Sequence, residues 1–192
     1  MKLWTIQPVE VWEEMQKTGC YICDPAKADL LSEDDGFVRG YNWLIKQMET
    51  KIGPRPNDVK YPVWAWHTRN WLHKKPDLRE TGYGTRGRKC VCLEIEKPDE
   101  DVLLSDFDAW HAVLNKWYLD DSANEAEWEL IHEWFDGLPI ETKNRIKEES
   151  WQKIFDISPY QSDWRDNGRY VQATFWKLNL DEVKKVQYFT CR

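Results

Sequence analysis

Residues 89–96, KCVCLEIE, put Val91, Leu93 and Ile95 on every second position, with Cys90, Cys92, Glu94 and Glu96 between them. A period of two belongs to a β-strand with one face turned toward a core. A lone strand leaves its backbone N–H and C=O groups unpaired, so the chain must supply neighbours. Candidate neighbours stand far apart in sequence. Leu3–Gln7, LWTIQ, reads as a short strand ended by Pro8. The run VKYPVWAWHTRNW alternates apolar and aromatic residues, and Pro62 marks an edge or the strand's first residues. Residues 170–180, YVQATFWKLNL, and the closing KVQYFT alternate as well, and CYIC at 20–23 is a further short candidate.

Between these runs the period changes to that of helices. Pro8 suits a helix start, Val9, Trp12 and Met15 recur at helical spacing, and Gly19 suits a C-cap. Over 36–52, Phe37, Tyr41, Leu44, Ile45, Met48 and Ile52 form an apolar stripe, and Gly-Pro-Arg-Pro stops it. Ser105 with Asp108, and Ser122 with Glu125, resemble capping boxes that open two more helices. A last helix runs from about Ile140 to Phe155. Strands near both termini thus frame a helical segment, 105–155. The expected fold is one α+β domain over 1–192. Its sheet is mostly antiparallel, built from N-terminal, middle and C-terminal strands, with four to five helices.

At 192 residues the chain can bury a core without disulfide or metal staples. No apolar run approaches the ~20 residues of a membrane span, and the start carries acids where a signal peptide needs an apolar core. The expectation is a cytoplasmic protein without a membrane role. Five cysteines, an odd number, argue against a disulfide framework. Cys20, Cys23, Cys90 and Cys92 have the makings of a four-thiolate zinc site. However, Cys90 and Cys92 at i and i+2 also fit two small buried residues on one strand face, so zinc is disfavoured.

The net charge of −7 is unevenly spread. Residues 67–89 hold seven basic and two acidic side chains, whereas 90–136 hold two basic and fourteen acidic ones. The basic stretch also carries Gly82, Gly84 and Gly87, so it reads as a long loop beside tryptophans. Flat rings next to guanidinium groups can hold a base by stacking and a phosphate by paired hydrogen bonds. Strand alternation puts Trp64 and Trp66 on one face and His67 on the other. His67 ends that strand where the chain enters the basic loop. Most other tryptophans, including Trp12, Trp43, Trp110 and Trp134, fall on helix faces and read as core. On the late strand, Gln172, Thr174 and Trp176 share a face that either lines a cleft or meets solvent. The acidic helices of 105–136 read as solvated faces or as a docking surface for a basic protein.

LWTIQP, YPVWAW, VCLEIEKPDEDVLLSDFDAWH and VQATFWKLNLDEVKKVQYF together resemble a bacterial domain-of-unknown-function family of about this length. More distantly, the order of strands resembles the layout of ADP-ribosyltransferase-like domains. That resemblance implies an NAD-type ligand held by residues of the first, middle and late strands. Strand 1 offers Thr5 and Gln7 where such domains carry His or Arg, and the late strand offers Gln172 in place of Glu. The leading expectation is therefore a nucleotide- or NAD-binding domain, with catalysis open. Trp64 or Trp66 would stack, Arg69 and Arg79 would hold phosphate, His67 would polarise, and Gln172 would touch ribose. A non-enzymatic module docking a basic partner through 105–136 is the alternative. Nucleic-acid binding through 67–89 ranks below both.

Overall fold

A computed structural model describes residues 1–25 and 35–192. The elements in chain order are β1 (Lys2–Pro8), α1 (Val9–Thr18), β2 (Cys20–Tyr21), α2 (Asp35–Lys51), β3 (Val63–Arg69), β4 (Lys89–Glu96) and β5 (Leu103–Asp106). They continue with α3 (Phe107–Asn115), α4 (Glu125–Asp136), α5 (Ile140–Ser150), β6 (Tyr160–Gln161), β7 (Asp166–Asn167), β8 (Tyr170–Phe175), β9 (Leu178–Asn179) and β10 (Val183–Thr190). Six strands form one sheet in the order β10-β4-β1-β3-β8-β5, each antiparallel to its neighbours. The KCVCLEIE strand, β4, lies between strands from the two ends of the chain, and the fold is the expected α+β mixture.

One face of the sheet carries Leu3, Val63, Ala65, Val91, Leu93, Ile95, Ala173 and Phe175. Trp12 and Met15 of α1 close over it. Burying each of these large side chains stabilises the fold by about 1.5–3 kcal/mol. Gly19, at φ +81°, ends α1 and returns its N–H to the Met15 carbonyl, as its position past Thr18 predicts. On the other face, helices cover the sheet toward the β3-β8-β5 edge. There Leu44 and Met48 of α2, Trp110 and Val113 of α3, and Trp151 and Ile154 pack on Leu103 and Trp64.

Two helix starts differ from the sequence reading. Ser105 lies in β5, and Asp106 caps α3 by accepting from the Ala109 N–H at 2.8 Å. Its other oxygen accepts from the Gly168 N–H at 2.7 Å. Asn124, not Ser122, caps α4, taking the Glu127 N–H, while Glu127 reaches back to the Ala123 N–H. An amide oxygen at the right backbone position outcompetes a hydroxyl two residues earlier, which is instead engaged with Asp120. The last helix ends at Ser150, and Trp151–Phe155 tightens into a 3₁₀ turn. Gly168, at φ +71°, tolerates no side chain, because a Cβ there would stand 2.4 Å from the Ile157 carbonyl.

Candidate functional site

The residues expected to form a site begin on β3. Its register with β8 runs Trp64↔Thr174, Ala65↔Ala173, Trp66↔Gln172, then slips, giving Thr68↔Val171 and Arg69↔Tyr170. A bulge adds one residue and changes the parity that simple alternation assumes. Trp66 and Arg69, three apart, therefore share a face with Gln172 and Tyr170. His67 is the extra residue, so its assignment to the face opposite Trp66 by counting no longer applies.

Around Arg69 the structure is closed. Its guanidinium lies 4.4 Å from the Trp66 ring centre, 5.1 Å from Tyr170 and 5.9 Å from Tyr83. It also pairs with Glu80, which accepts from the Tyr83 hydroxyl at 3.1 Å. Burial, opposed by the nearby Arg69 charge, pushes the Tyr83 phenol up to about 12. An incoming phosphate would have to displace a carboxylate from a cation already sandwiched by rings. Arg79 is matched too. Its side chain and amide all donate to Asp77, at 2.6–3.2 Å, and these bonds hold the Asp77 carboxyl far below its ordinary range. The Arg79 side chain stands exposed.

Trp64 leaves the site altogether. It packs against Tyr41 and Trp110, at 5.9 and 5.5 Å, inside the helical layer. His67 stacks on His73 at 4.2 Å, and His73 shares a 2.8 Å hydrogen bond with the Lys2 carbonyl oxygen and meets Trp4 edge-on. Burial first, and then the neighbouring His73, lower the His67 pKa. Gln172 sits between Trp66 on β3 and Ser105 on β5, and the Ser105 hydroxyl is buried without a hydrogen-bond partner. Thr174 does not extend a polar groove. It is fully buried, with its hydroxyl turned to the Leu103 carbonyl at 3.3 Å. The structure thus gathers Trp66, Arg69 and Gln172, sets His67 beside them, removes Trp64, and leaves Arg79 matched to Asp77.

The thiols take separate places. Cys20 belongs to the β2-β9 ribbon, and Cys23 bridges to Tyr61. Cys90 lies 3.2 Å, sulfur to sulfur, from Cys191. Burial raises the Cys90 thiol to about 12, with the Cys191 contact adding to it. Among the described residues no group of three or more His, Cys, Asp or Glu side chains converges as a metal site would require. Nor is any helix among them long and apolar enough to cross a membrane.

A second arrangement has no motif behind it. Between α2 and α5 lies a cleft of about 500 Å³. Val38, Arg39, Asn42, Trp43 and Lys46 line one side, and Asn144, Lys147, Glu148 and Trp151 line the other, with Lys116 at the rim. Among the described residues, four cations line the cleft with one carboxylate. The floor is rigid. Trp151 donates its indole N–H to the Trp117 carbonyl at 2.8 Å and meets Trp43 edge-on at 5.6 Å, and Trp43 stacks on Phe155. Arg39 is fixed by a 2.8 Å bond from Nη2 to the Leu114 carbonyl, and its Nε is buried without a partner. Lys116 stands at the left-handed C-cap of α3, where carbonyls favour a cation. The local signal for this cleft is faint but present. Polar residues recur at helical spacing beside Trp43 and again beside Trp151.

No curated protein and no solved structure matches the chain, so the likeness to ADP-ribosyltransferases gains nothing from these comparisons. One family does match, and it spans residues 2–184, taking in β1 through the start of β10, both sheet faces and the cleft. The chain belongs to the family described as a domain of unknown function, DUF3841.

Proposed function

We propose that this protein binds a nucleotide, NAD included, in the cleft between α2 and α5. The observation that carries this reading is the convergence of Arg39, Lys46, Lys116 and Lys147, from three separate elements, over a floor of two tryptophans. A site of this size, part aromatic and part cationic, suits a flat base and an anionic tail. Arg39 and the lysines would neutralise phosphate, Asn42 and Asn144 supply neutral hydrogen-bonding groups, and Trp43, backed by the buried Trp151, would pack on the base. This moves phosphate recognition away from 67–89, where Arg69 and Arg79 already hold carboxylates. His67 and Gln172 do not line the cleft, and the reading is one of binding.

Calorimetric titration with ATP, NAD and ADP-ribose, alongside tryptophan fluorescence, tests it. Binding should appear with at least one of them. Lys46→Glu combined with Lys147→Glu should weaken it by about tenfold or more, the cost of reversing two charges at a partly open anion site. A folded protein that shows neither heat nor a fluorescence change with any of the three, at about 1 mM ligand, overturns the proposal.

A further inference from the structure

Helix α4 is held to the body by one side only. Phe135 is its single buried residue, stacked on Tyr118 at 4.6 Å, and His132 lies beside Asp120 at 3.2 Å. The outward side is apolar where a solvated helix would be polar. Leu130 is 68% exposed, Trp134 52%, and Ile140, at the start of the next helix, 67%. Leu130 and Trp134, four apart, are neighbours on the helix surface. Glu125, Glu127, Glu129 and Glu133 share this helix with them, Asp136 pairs with Lys143 at 3.5 Å, and the chain has no lysine or arginine between Lys116 and Lys143. Clustered exposed apolar side chains mark an interaction surface, since leaving them in water is unfavourable. A rim of one sign selects the partner's charge.

We propose that this face docks a protein partner through a segment that presents apolar anchors between lysines or arginines, as an amphipathic basic helix does. Leu130, Trp134 and Ile140 receive the anchors. The carboxylates of Glu127, Glu129 and Glu133 meet the cations. An acidic or neutral segment is rejected, because it would leave four like charges, Glu125, Glu127, Glu129 and Glu133, facing it or unpaired.

The probe is a synthetic amphipathic helical peptide of lysine and leucine, compared with its glutamate–leucine analogue and followed by fluorescence anisotropy. The basic peptide should bind, the acidic one should not, and affinity should fall steeply between about 50 and about 500 mM salt. Leu130→Ala with Trp134→Ala should weaken binding by about tenfold or more, as truncating central anchors does. Both side chains are largely exposed, so the variant keeps its fold, which circular dichroism verifies. Glu100→Lys with Asp101→Lys, acids outside α4, should leave binding unchanged. Equal binding by wild type and the Leu130/Trp134 variant overturns the proposal. So does absence of binding, or self-association of the wild type that the same variant abolishes, which would make the face a contact between copies of this chain.

Discussion

Two basic regions of this molecule reach opposite ends. The segment 67–89 has the greater charge density along the chain, yet folding brings two of its four arginines onto carboxylates of the same segment, Arg69 onto Glu80 and Arg79 onto Asp77. The α2–α5 cleft draws its cations from positions 39, 46, 116 and 147, none of which forms a basic run, and among the described residues sets only Glu148 with them. Charge along a sequence measures how many cations a segment holds. Charge in a cleft measures how many remain after neighbours have been matched, and a ligand responds to the second.

The two regions should also differ in how they fail. The largest effect is expected at the cleft floor. Trp151 is buried and hydrogen-bonded, so Trp151→Ala should cost about 3–5 kcal/mol of stability through lost burial and a cavity. A chemical-denaturation midpoint close to wild type would show that the floor is not core. Next comes ligand binding itself. The cleft double variant Lys46→Glu, Lys147→Glu should lose nucleotide affinity by about tenfold or more, whereas Arg79→Ala should leave it within about twofold. The reverse pattern would return the anion site to the basic loop.

A smaller effect is expected at Arg69. Lysine keeps the charge but not the flat guanidinium that lies among Trp66, Tyr170 and Tyr83, so Arg69→Lys should cost about 1 kcal/mol. Full retention of stability in urea melts would mean that charge alone matters there. The smallest concerns His67. Its folded-state pKa lies below the free-histidine value, so the unfolded chain binds the proton more readily. Its stabilising contribution is complete above about pH 6.5 and declines as the pH falls below that value. His67→Gln should flatten the dependence between about pH 7.5 and about 5.5. An unchanged slope in the variant would assign that dependence to other groups.

Much of the fold was legible because it rests on local periodicity. The alternation in Lys89–Glu96 matches β4, that over 170–180 matches β8 only for Tyr170–Phe175, and the apolar stripe ending at Ile52 matches α2 within a residue at its start. Trp12, Trp43 and Trp110 pack as their helix positions suggest. Trp134 does not. Core packing was expected of it, but the structure leaves it half exposed, because Phe135 next to it takes the inward position on α4. Periodicity finds an apolar side of a helix, but a helix with apolar residues on two sides leaves open which one is covered. The bulge at His67 escaped for a related reason. One extra residue in a strand leaves the composition unchanged and reverses every parity argument beyond it.

The sequence by itself determined the element types, the antiparallel α+β class, the concentration of basic residues in 67–89 and the absence of any cation between Lys116 and Lys143. Each of these follows from neighbours along the chain. Only the tertiary structure decided which arginines are already paired, which tryptophans floor a cleft and which face of α4 stays open. Those properties depend on contacts between residues far apart in sequence, such as Arg39 with Leu114 and Trp151 with Trp117. Hydrogen bonding and burial act across space, and no local pattern records the outcome.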